Sequence, residues 1–433
     1  MKHIVFLLVA VLPAAARAEP TVDLPPAMAE DAAPEPRAEP TQQPLLRLGV
    51  DNPTDELLLR GLQPARLATD GTVIGGYSQM RLSYTAEGER SPFTGQANID
   101  RLVLFVAHTF DERFQTYIEF EWENAIACSN CQGSVEIEQA FLDWHIAGRA
   151  LTLRSGLILV PMGIINQWHE PPVFHGVSRP IVDQLIIPTT WREIGLGFTG
   201  SFSFFNYELY LLTAPDALAM DQFGLRSAQT QGSLAPANAW MVAGRLEAEP
   251  LLGFIAGISG IGSDMGGGSR FYEPDRSHID LALPLYAVEI DARWRRFGLE
   301  ARALATAFFF PHADQLLGAY DENGTRQFPN PRLSGVVPTR WWGAYVEVAY
   351  DVLRLITTTE QQLMPFVRLE AYDNQAAVPD GYTRDRSLKV METTFGLSYR
   401  PIRQVVLKSD LQLRDRDRGD DLLVLNFGLG TMF

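Results

Sequence analysis

Histidine and carboxylate side chains, the commonest protein ligands of zinc, fall together in one stretch of this 433-residue chain, at His169, Glu170 and His175. Pro171 and Pro172 follow directly and cannot continue a helix, so two histidines cannot share one helical face as they do in zinc peptidases. The spacing matches no other metal signature. The sequence therefore predicts no metal site and no cofactor.

The two cysteines, Cys128 and Cys131, are the second candidate for chemistry. A thioredoxin-like redox role needs this spacing between a strand and a helix, and no such order is indicated. In an oxidising compartment two neighbouring cysteines normally pair. We expect a small disulfide clip within a loop, with an unusual metal or redox use as the alternative.

Closely spaced acids such as Glu136 with Glu138, or Glu289 with Asp291, are a third candidate, because paired carboxylates serve acid–base catalysis. Residues two apart on a strand lie on one face, so the same spacing also describes the polar lining of a channel. No Ser-His-Asp order, nucleophile elbow or glycine-rich phosphate loop occurs in a fitting context. The sequence predicts that the protein is not an enzyme.

The elements that carry these residues alternate apolar and polar side chains, which is typical of strands with two different faces. Between residues 114 and 124, Ile118 and Trp122 fall on one side while Glu119 and Glu121 fall on the other. The whole chain yields about sixteen such strands, an even number, as a barrel with both termini on one side requires. They lie near residues 72–85, 97–110, 113–124, 134–147, 150–160, 191–200, 202–213, 238–248, 251–263, 282–295, 297–310, 341–352, 361–373, 387–400, 402–414 and 421–433.

Short and long connections alternate along the chain. We expect tight reversals after even-numbered strands, and long links after most odd-numbered ones. This asymmetry is typical of outer-membrane barrels, in which periplasmic turns are short and external loops long. The expected reversals include residues 111–112, 148–149, 249–250, 295–296 and 400–401, and the long links are 161–190, 214–237, 264–281 and 311–340.

The N-terminal part predicts export. Residues 1–18 have the layout of a cleavable signal peptide, with Lys2, an apolar run to Leu12 and an Ala-x-Ala site ending at Ala18. Residues 19–70 begin rich in Pro, Ala and Glu and predict a disordered periplasmic leader, although 45–67 could instead form a short helix. Residues 71–433 are then the barrel. We expect the outer membrane of a Gram-negative bacterium as the location.

Acids outnumber bases, 52 to 36, for a formal charge of −16, which argues against nucleic acid as a partner. The last strand ends on Phe433 and carries apolar residues at every second position, among them Phe427 and Leu425. Such an ending is similar to the signal read by the barrel-assembly machinery, so we expect that machinery, outer-membrane lipid and lipopolysaccharide as partners. Five tryptophans near strand ends predict an interfacial girdle: Trp144, Trp240, Trp294, Trp341 and Trp342.

Three adjacent stretches resemble the phosphate-selective porin O and P family: Asn98 to Glu123 (NIDRLVLFVAHTFDERFQTYIEFEWE), Val135 to Trp144 (VEIEQAFLDW) and Leu151 to Gly163 (LTLRSGLILVPMG). The resemblance continues through Trp191 to Gly195 and covers the barrel from about residue 72. It implies a sixteen-stranded diffusion pore for small hydrophilic solutes, often assembled as a homotrimer. The alternation of faces separately indicates an all-β transmembrane antiparallel up-and-down barrel.

The resemblance does not extend to phosphate selectivity, because the predicted lumen face mixes acids and bases and predicts a transverse field across a water-filled constriction. The link 161–190 is expected to fold inward and narrow the pore. The alternatives are a loop packed over the rim, an anion-selective channel, or a non-conducting barrel that serves as a scaffold. The constriction candidates are Arg154, Glu170, Arg179, Asp183, Arg192, Arg245, Arg302 and Arg368, and the acidic lumen candidates are Glu119, Glu121, Glu289, Glu300, Glu347 and Glu370.

Overall fold

The structure is a computed structural model and describes residues 71–88, 91–126, 132–267, 271–272, 275, 277–318, 335–357 and 359–433. The predicted signal peptide, residues 1–18, and the predicted leader, residues 19–70, lie outside the described residues. The same holds for Cys128 and Cys131, so their predicted disulfide stays a prediction.

Sixteen antiparallel strands form a closed barrel. Each strand pairs with the next barrel strand along the chain, so that β9 pairs with β12, and β1 pairs with β18. The short strands β10 and β11 form a separate two-stranded ladder. The predicted strand number and the antiparallel order are confirmed. The strands are β1 Gly71–Glu87, β2 Thr94–Thr109, β3 Phe114–Glu123, β4 Val135–Ala147, β5 Leu151–Leu159, β6 Arg192–Phe202, β7 Phe205–Thr213, β8 Trp240–Leu251, β9 Phe254–Asp264, β10 Phe271–Tyr272, β11 His278–Ile279, β12 Pro284–Arg296, β13 Leu299–Phe309, β14 Arg340–Tyr350, β15 Gln362–Ala377, β16 Lys389–Ile402, β17 Val405–Arg416 and β18 Leu422–Met432.

The helical elements are short and lie in connections. They are α1 Ile164–Gln167 and α2 Ala313–Gly318, the 3-10 turns Pro171–Val173, Ala217–Ala219, Leu225–Ser227, Val352–Leu355 and Arg386–Leu388, and one π turn, Val182–Ile186. Within the ranges that the structure describes, no helix is both long and apolar enough to span a bilayer.

The two faces of each strand have opposite chemistry. On β3, Glu119 and Glu121 point into the barrel and are almost fully buried, whereas Trp122 is exposed on the outside. On β12 the same alternation buries Glu289 and leaves Ile290 exposed. Apolar groups outside and polar groups inside are the arrangement that a barrel needs when lipid surrounds it.

The C-terminal residue closes the barrel. The backbone N–H of Phe433 donates to the carbonyl of Gly76 at 2.9 Å, and the N–H of Gly76 donates back to the carbonyl of Phe433 at 3.0 Å. At Gly76 a Cβ atom would lie 2.3 Å from the carbonyl oxygen of Val103, so only glycine fits between β2 and the chain end. Closure therefore depends on a residue that has no side chain.

The turns at one end of the barrel are tight, as predicted, but three lie slightly later in the chain than expected. Residues 249–250, 295–296 and 400–401 belong to strands, and the reversals fall at 252–253, 297–298 and 403–404. Phe297 and Gly298 both have positive φ, at 56° and 80°, which suits the twist of a two-residue hairpin. The charged and proline residues at the predicted positions therefore end strands and do not form the turns.

The long connections at the other end carry many buried residues, so the barrel interior holds an apolar core. Phe174 and Trp191, both in the connection after β5, join the same buried cluster as the wall residues Phe105 and Phe308. Trp341 also points inward, is fully buried and stacks on Phe308 with ring centroids 5.0 Å apart. The prediction that Trp341 belongs to an outer aromatic girdle is wrong, because it lies on the interior side of β14.

Candidate functional site

The candidate site is the connection between β5 and β6, residues 160–191, which we call the inserted segment, together with the wall that surrounds it. Its two ends meet at a neck, where the N–H of Val160 donates to the carbonyl of Trp191 at 2.8 Å. The buried side chain of Asn166 binds both strands of the neck: it accepts from the N–H of Trp191 at 2.7 Å and donates to the carbonyl of Val160 at 3.0 Å. The segment is thus a closed loop with its own hydrogen-bonded base.

Basic side chains of the wall donate to backbone carbonyls of the inserted segment. Arg302 on β13 donates to the carbonyl of Val173 at 2.8 Å, and Arg400 on β16 donates to that of Pro172 at 2.7 Å. Lys408 on β17 donates to the carbonyls of Phe174, at 2.6 Å, and Gly176, at 2.9 Å. Charged donors make stronger hydrogen bonds than neutral ones, so these contacts hold the segment firmly.

Acidic side chains of the wall accept from backbone N–H groups of the same segment. The N–H of Gly163 donates to Glu289 at 2.6 Å, that of Val177 to Asp410 at 2.6 Å, and that of Ile181 to Glu370 at 2.6 Å. Gln79 on β1, two strands from β17 in the barrel, donates to the carbonyl of Val177 at 2.8 Å. The segment is therefore held across the lumen by strands β1, β2, β4, β7, β12, β13, β15, β16 and β17.

Wall charges also pair with one another, within one strand or between strands that lie close in the barrel. Arg368 lies 3.2 Å from Glu347 and 2.5 Å from Glu370, and all three side chains are buried. Arg154 makes a bidentate pair with Asp143, both distances being 2.8 Å. Pairs of this kind leave little net charge where they occur. The predicted transverse field across the lumen stays a prediction.

A second set of pairs surrounds Arg245 on β8, which lies 2.8 Å from Glu247, 3.2 Å from Glu289 and 2.7 Å from Asp291. Each of these side chains is mostly buried, so the pairs are shielded from water. A charge buried in this way needs partners, since its hydration is lost. The network therefore stabilises the filled interior and is not exposed to a passing solute.

The predicted constriction residues all lie inside the barrel, but they do not meet at one narrow point. Arg192 pairs with Glu136 on β4, and Arg179 donates to the hydroxyl of Thr190 at 3.1 Å within the inserted segment. Asp183 is buried, which raises its pKa to about 7. Arg192 and Arg179 therefore each bond to a residue close to them, and the candidates do not form one ring around the lumen. The candidates on strands are Arg154, Arg192, Arg245, Arg302, Arg368, Glu119, Glu121, Glu289, Glu300, Glu347 and Glu370; those on the segment are Glu170, Arg179 and Asp183.

A cavity of about 50 Å³ remains between the inserted segment and the wall, with arginine as its main charged component. Arg293, Arg295, Arg302 and Arg400 line it, together with Glu300. One water needs roughly 10–15 Å³ of such space, so the cavity can hold several waters or a small hydrated ion. The cavity lies beside the segment, and apolar side chains such as Ile164 and Trp168 line it together with the charged ones.

The residues of this site that were not among the predicted candidates include Arg400, Arg101, Asn166 and Gln79. Arg400 was expected at a turn, whereas it lies on the interior face of β16, in phase with buried Ser398. Arg101 lies on β2, whose interior face also carries Val103 and Phe105 and therefore shows no polar alternation. Arg400 could have been predicted, because it lies two residues after Ser398 and so falls on the same, interior face of β16. No side-chain pattern indicates that Arg101 faces the lumen.

Comparison with known proteins shows what this chain is similar to. No family model matches it. An uncharacterized protein of Aquifex aeolicus (strain VF5) is 29% identical over 393 residues, which cover 87% of this chain and 84% of that protein. The resemblance to phosphate-selective porins O and P therefore stays an expectation.

Solved structures share the fold. OmpF of Salmonella typhi, in a complex with daunomycin, superposes with a TM-score of 0.54 at 12% identity, covering 84% of this chain and 97% of that one. A loop L8 deletion mutant of OmpT, an outer membrane protein of Vibrio cholerae, gives a TM-score of 0.50 at 9% identity, covering 84% and 100%. At these identities the likeness concerns the barrel alone.

Proposed function

We propose that the protein is an outer-membrane channel through which small hydrophilic solutes or ions diffuse passively, and that the inserted segment sets the size of the passage. The observation that carries the proposal is a closed barrel with an apolar exterior whose charged interior is crossed by a hydrogen-bonded segment. A sixteen-stranded barrel is wide enough to leave a channel unless something fills it. In this barrel the inserted segment occupies much of the lumen.

The burial of the wall charges supports a passage controlled by the segment. Glu289, Glu347 and Arg368 are at most 1% exposed, and Glu289 is covered in part by direct contact with the segment's backbone. Ions move through water, so the dry level of the lumen resists conduction. Displacing the segment would expose these charges and convert the covered wall into a polar channel lining.

Single-channel recording in planar bilayers tests this proposal. Residues 168–182 are replaced by a flexible Gly/Ser linker, and we expect a conductance several times that of the unaltered protein. A matched control removes residues 231–234 from the tip of the connection after β7, where Leu234 is 99% exposed, and leaves conductance unchanged. If neither the unaltered protein nor the variant lacking 168–182 conducts, the barrel is a scaffold and the proposal is wrong.

A second candidate function is an anion-selective channel, and the arginine-lined cavity favours it. Four guanidinium groups and one carboxylate line the cavity beside the inserted segment. In a salt gradient we expect a reversal potential of the sign that an anion-selective channel gives. The Arg295→Gln substitution should move this potential toward zero. Arg149→Gln, at an exposed turn, is the charge-matched control and leaves the potential unchanged. A reversal potential of cation sign in the unaltered protein would exclude anion selectivity.

The family resemblance also supports a homotrimer in the outer membrane, with lipid and lipopolysaccharide around it. Cross-linking of the protein in membranes, followed by gel electrophoresis, distinguishes three copies from one. A single monomer band after efficient cross-linking would contradict the trimer and leave the channel proposal intact.

A further inference from the structure

Three side chains from distant parts of the chain come together where the inserted segment meets β3 and β4. They are Glu119 on β3, Glu138 on β4 and His169 on the segment, and one ligand atom from each lies within 4.8 Å of the other two. All three side chains are buried. The set differs from the one considered in the sequence, because His175 lies elsewhere, 3.1 Å from Glu300.

The hydrogen bond on the other side of the His169 ring fixes which nitrogen faces the carboxylates. Nδ1 of His169 lies 3.0 Å from the carbonyl oxygen of Asn166, which can only accept, so Nδ1 carries the proton. Nε2 of the neutral ring is then a bare acceptor, and it lies 3.4 Å from Oε2 of Glu138. Two acceptors face each other, which is unfavourable unless a proton or a metal ion lies between them.

The distance distinguishes these two possibilities. A protonated imidazole donating to a carboxylate gives N···O distances of about 2.7–2.9 Å. Zinc binds imidazole nitrogen and carboxylate oxygen at about 2.0–2.2 Å, and a tetrahedral angle then separates two such ligand atoms by roughly 3.3–3.6 Å. The observed 3.4 Å between Nε2 of His169 and Oε2 of Glu138 agrees with two ligands of one metal ion and is long for an ion pair; the ligand atom of Glu119 lies within 4.8 Å of both.

The carboxylates are also held as metal ligands usually are. Gln139 donates to one oxygen of Glu119 at 2.7 Å, and the hydroxyl of Tyr77 lies 3.4 Å from the other and 3.4 Å from Oε2 of Glu138. Outer contacts of this kind orient ligands and tune the metal. The second oxygen of Glu138, in a fully buried side chain, has no N–H donor among the described residues and faces the carboxyl group of Glu121.

Negative charge exceeds positive charge at this place. Glu121 is adjacent to Glu138, and Glu170 follows His169, which adds two further carboxylates. Two guanidinium groups lie near these four carboxylates: Arg101 on the neighbouring strand β2, which donates to the side chain of Gln79 and to the carbonyl of His169, and Arg179 on the segment. A buried excess of carboxylates needs a compensating cation.

We propose that Glu119, Glu138 and His169 bind one divalent transition-metal ion, zinc by its preference for this donor set, and that the ion fastens the inserted segment to β3 and β4. Two carboxylates and one imidazole leave a fourth position, as in zinc sites that keep an open or water ligand. The ion joins residues that are far apart in sequence. It therefore restrains the segment more strongly than one hydrogen bond.

Metal content of the full-length folded protein in detergent tests this proposal. The protein is stripped with a chelator, equilibrated with Zn²⁺, desalted and analysed by mass spectrometry of the metal. We expect about one zinc per chain in the unaltered protein, and an affinity reduced at least about 100-fold in His169→Ala, since even second-shell changes lower affinity 10- to 100-fold. Glu138→Gln keeps the shape of the side chain and is expected to show the same loss.

His175→Ala is the matched control, because it removes a buried histidine from the same segment and retains zinc at the level of the unaltered protein. Barrel folding of every variant is checked by its heat-modifiable mobility on gels. The proposal is overturned if the folded protein retains no zinc, in which case protons neutralise the carboxylates. It is also overturned if His169→Ala binds zinc as tightly as His175→Ala does. Neither readout depends on conductance.

Discussion

Asn166→Ala should open the neck of the inserted segment while the barrel stays intact. The side chain of Asn166 is 2% exposed and accepts from the N–H of Trp191. It also donates to the carbonyls of Val160 and Trp191, at 3.0 and 3.3 Å. Alanine removes all three hydrogen bonds without changing the charge of the lumen, so the effect reports the neck alone.

The free energy cost of Asn166→Ala depends on which backbone groups keep a hydrogen-bond partner in the variant. The carbonyl of Val160 still accepts from Met162, and that of Trp191 still accepts from Val160, so each loses about 0.5 kcal/mol. The N–H of Trp191 loses the acceptor that Asn166 provides, which costs about 1–3 kcal/mol. The sum of about 2–4 kcal/mol raises the opening equilibrium of the segment roughly 30- to 700-fold, at a factor of ten for each 1.4 kcal/mol.

Hydrogen exchange with peptide-level mass spectrometry measures this change. Peptides from residues 160–191 should exchange faster by that factor, and peptides from β12 to β16 should not change, because local opening leaves the strand ladders paired. Asn206→Ala, which removes an acceptor of Ser201 near the tight turn after β6, is the matched control and should leave the segment's exchange unaltered. Exchange of the segment that rises less than about threefold would refute the role assigned to the neck.

Three further predictions concern the core, the pH response and closure. Trp341→Ala should lower the free energy of unfolding by about 3–5 kcal/mol, as deletion of a buried aromatic side chain does. Trp144→Ala, at a residue that is 43% exposed, should lower it clearly less. Denaturant unfolding of both variants measures the difference. Burial raises the pKa of Asp183 to about 7, so its protonated form favours the folded segment, and protease resistance of the segment should fall as pH rises from about 4 to about 7; Asp183→Asn should make that fall smaller, and an unchanged profile would contradict the prediction. Gly76→Ala should reduce the yield of closed barrel because its Cβ would lie 2.3 Å from the carbonyl of Val103, and Gly244→Ala, whose Cβ would lie 3.5 Å from the nearest side chain, should not; heat-modifiable gel mobility compares the two.

The strands were predictable from sequence because lipid and lumen impose opposite chemistry on alternate residues. The pattern in β3 is clear, with Glu119 and Glu121 inside and Trp122 outside. It fails on β2, where Val103 and Phe105 are both buried and Phe105 joins the apolar cluster that includes the segment's Phe174. A strand whose interior face is apolar shows no alternation, so the filled lumen could not be recognised there.

The arrangement of the site was less predictable, because it depends on contacts between distant residues. The wall charges were identified, but not that Lys408 and Glu289 bind the segment's backbone. Backbone acceptors and donors are present at every residue, so no side-chain pattern indicates them. The contact between the side chains of His169 and Glu138 was not predicted because the two residues are 31 positions apart and only the folded segment brings them together. Trp341 looked like a girdle residue because its position near a strand end does not reveal the direction of its side chain.

The central claim, that the inserted segment lies inside the closed barrel, is tested most directly by an engineered disulfide between the segment and β18. At Gly428 a Cβ would lie 2.8 Å from Cγ1 of Val177, which places the two Cβ atoms within about 4.5 Å, the range of native disulfides. The measurement is disulfide formation in folded Val177→Cys/Gly428→Cys protein that also carries Cys128→Ser and Cys131→Ser. We predict nearly complete cross-linking, seen by peptide mass mapping. Two free thiols in a folded barrel would contradict the account.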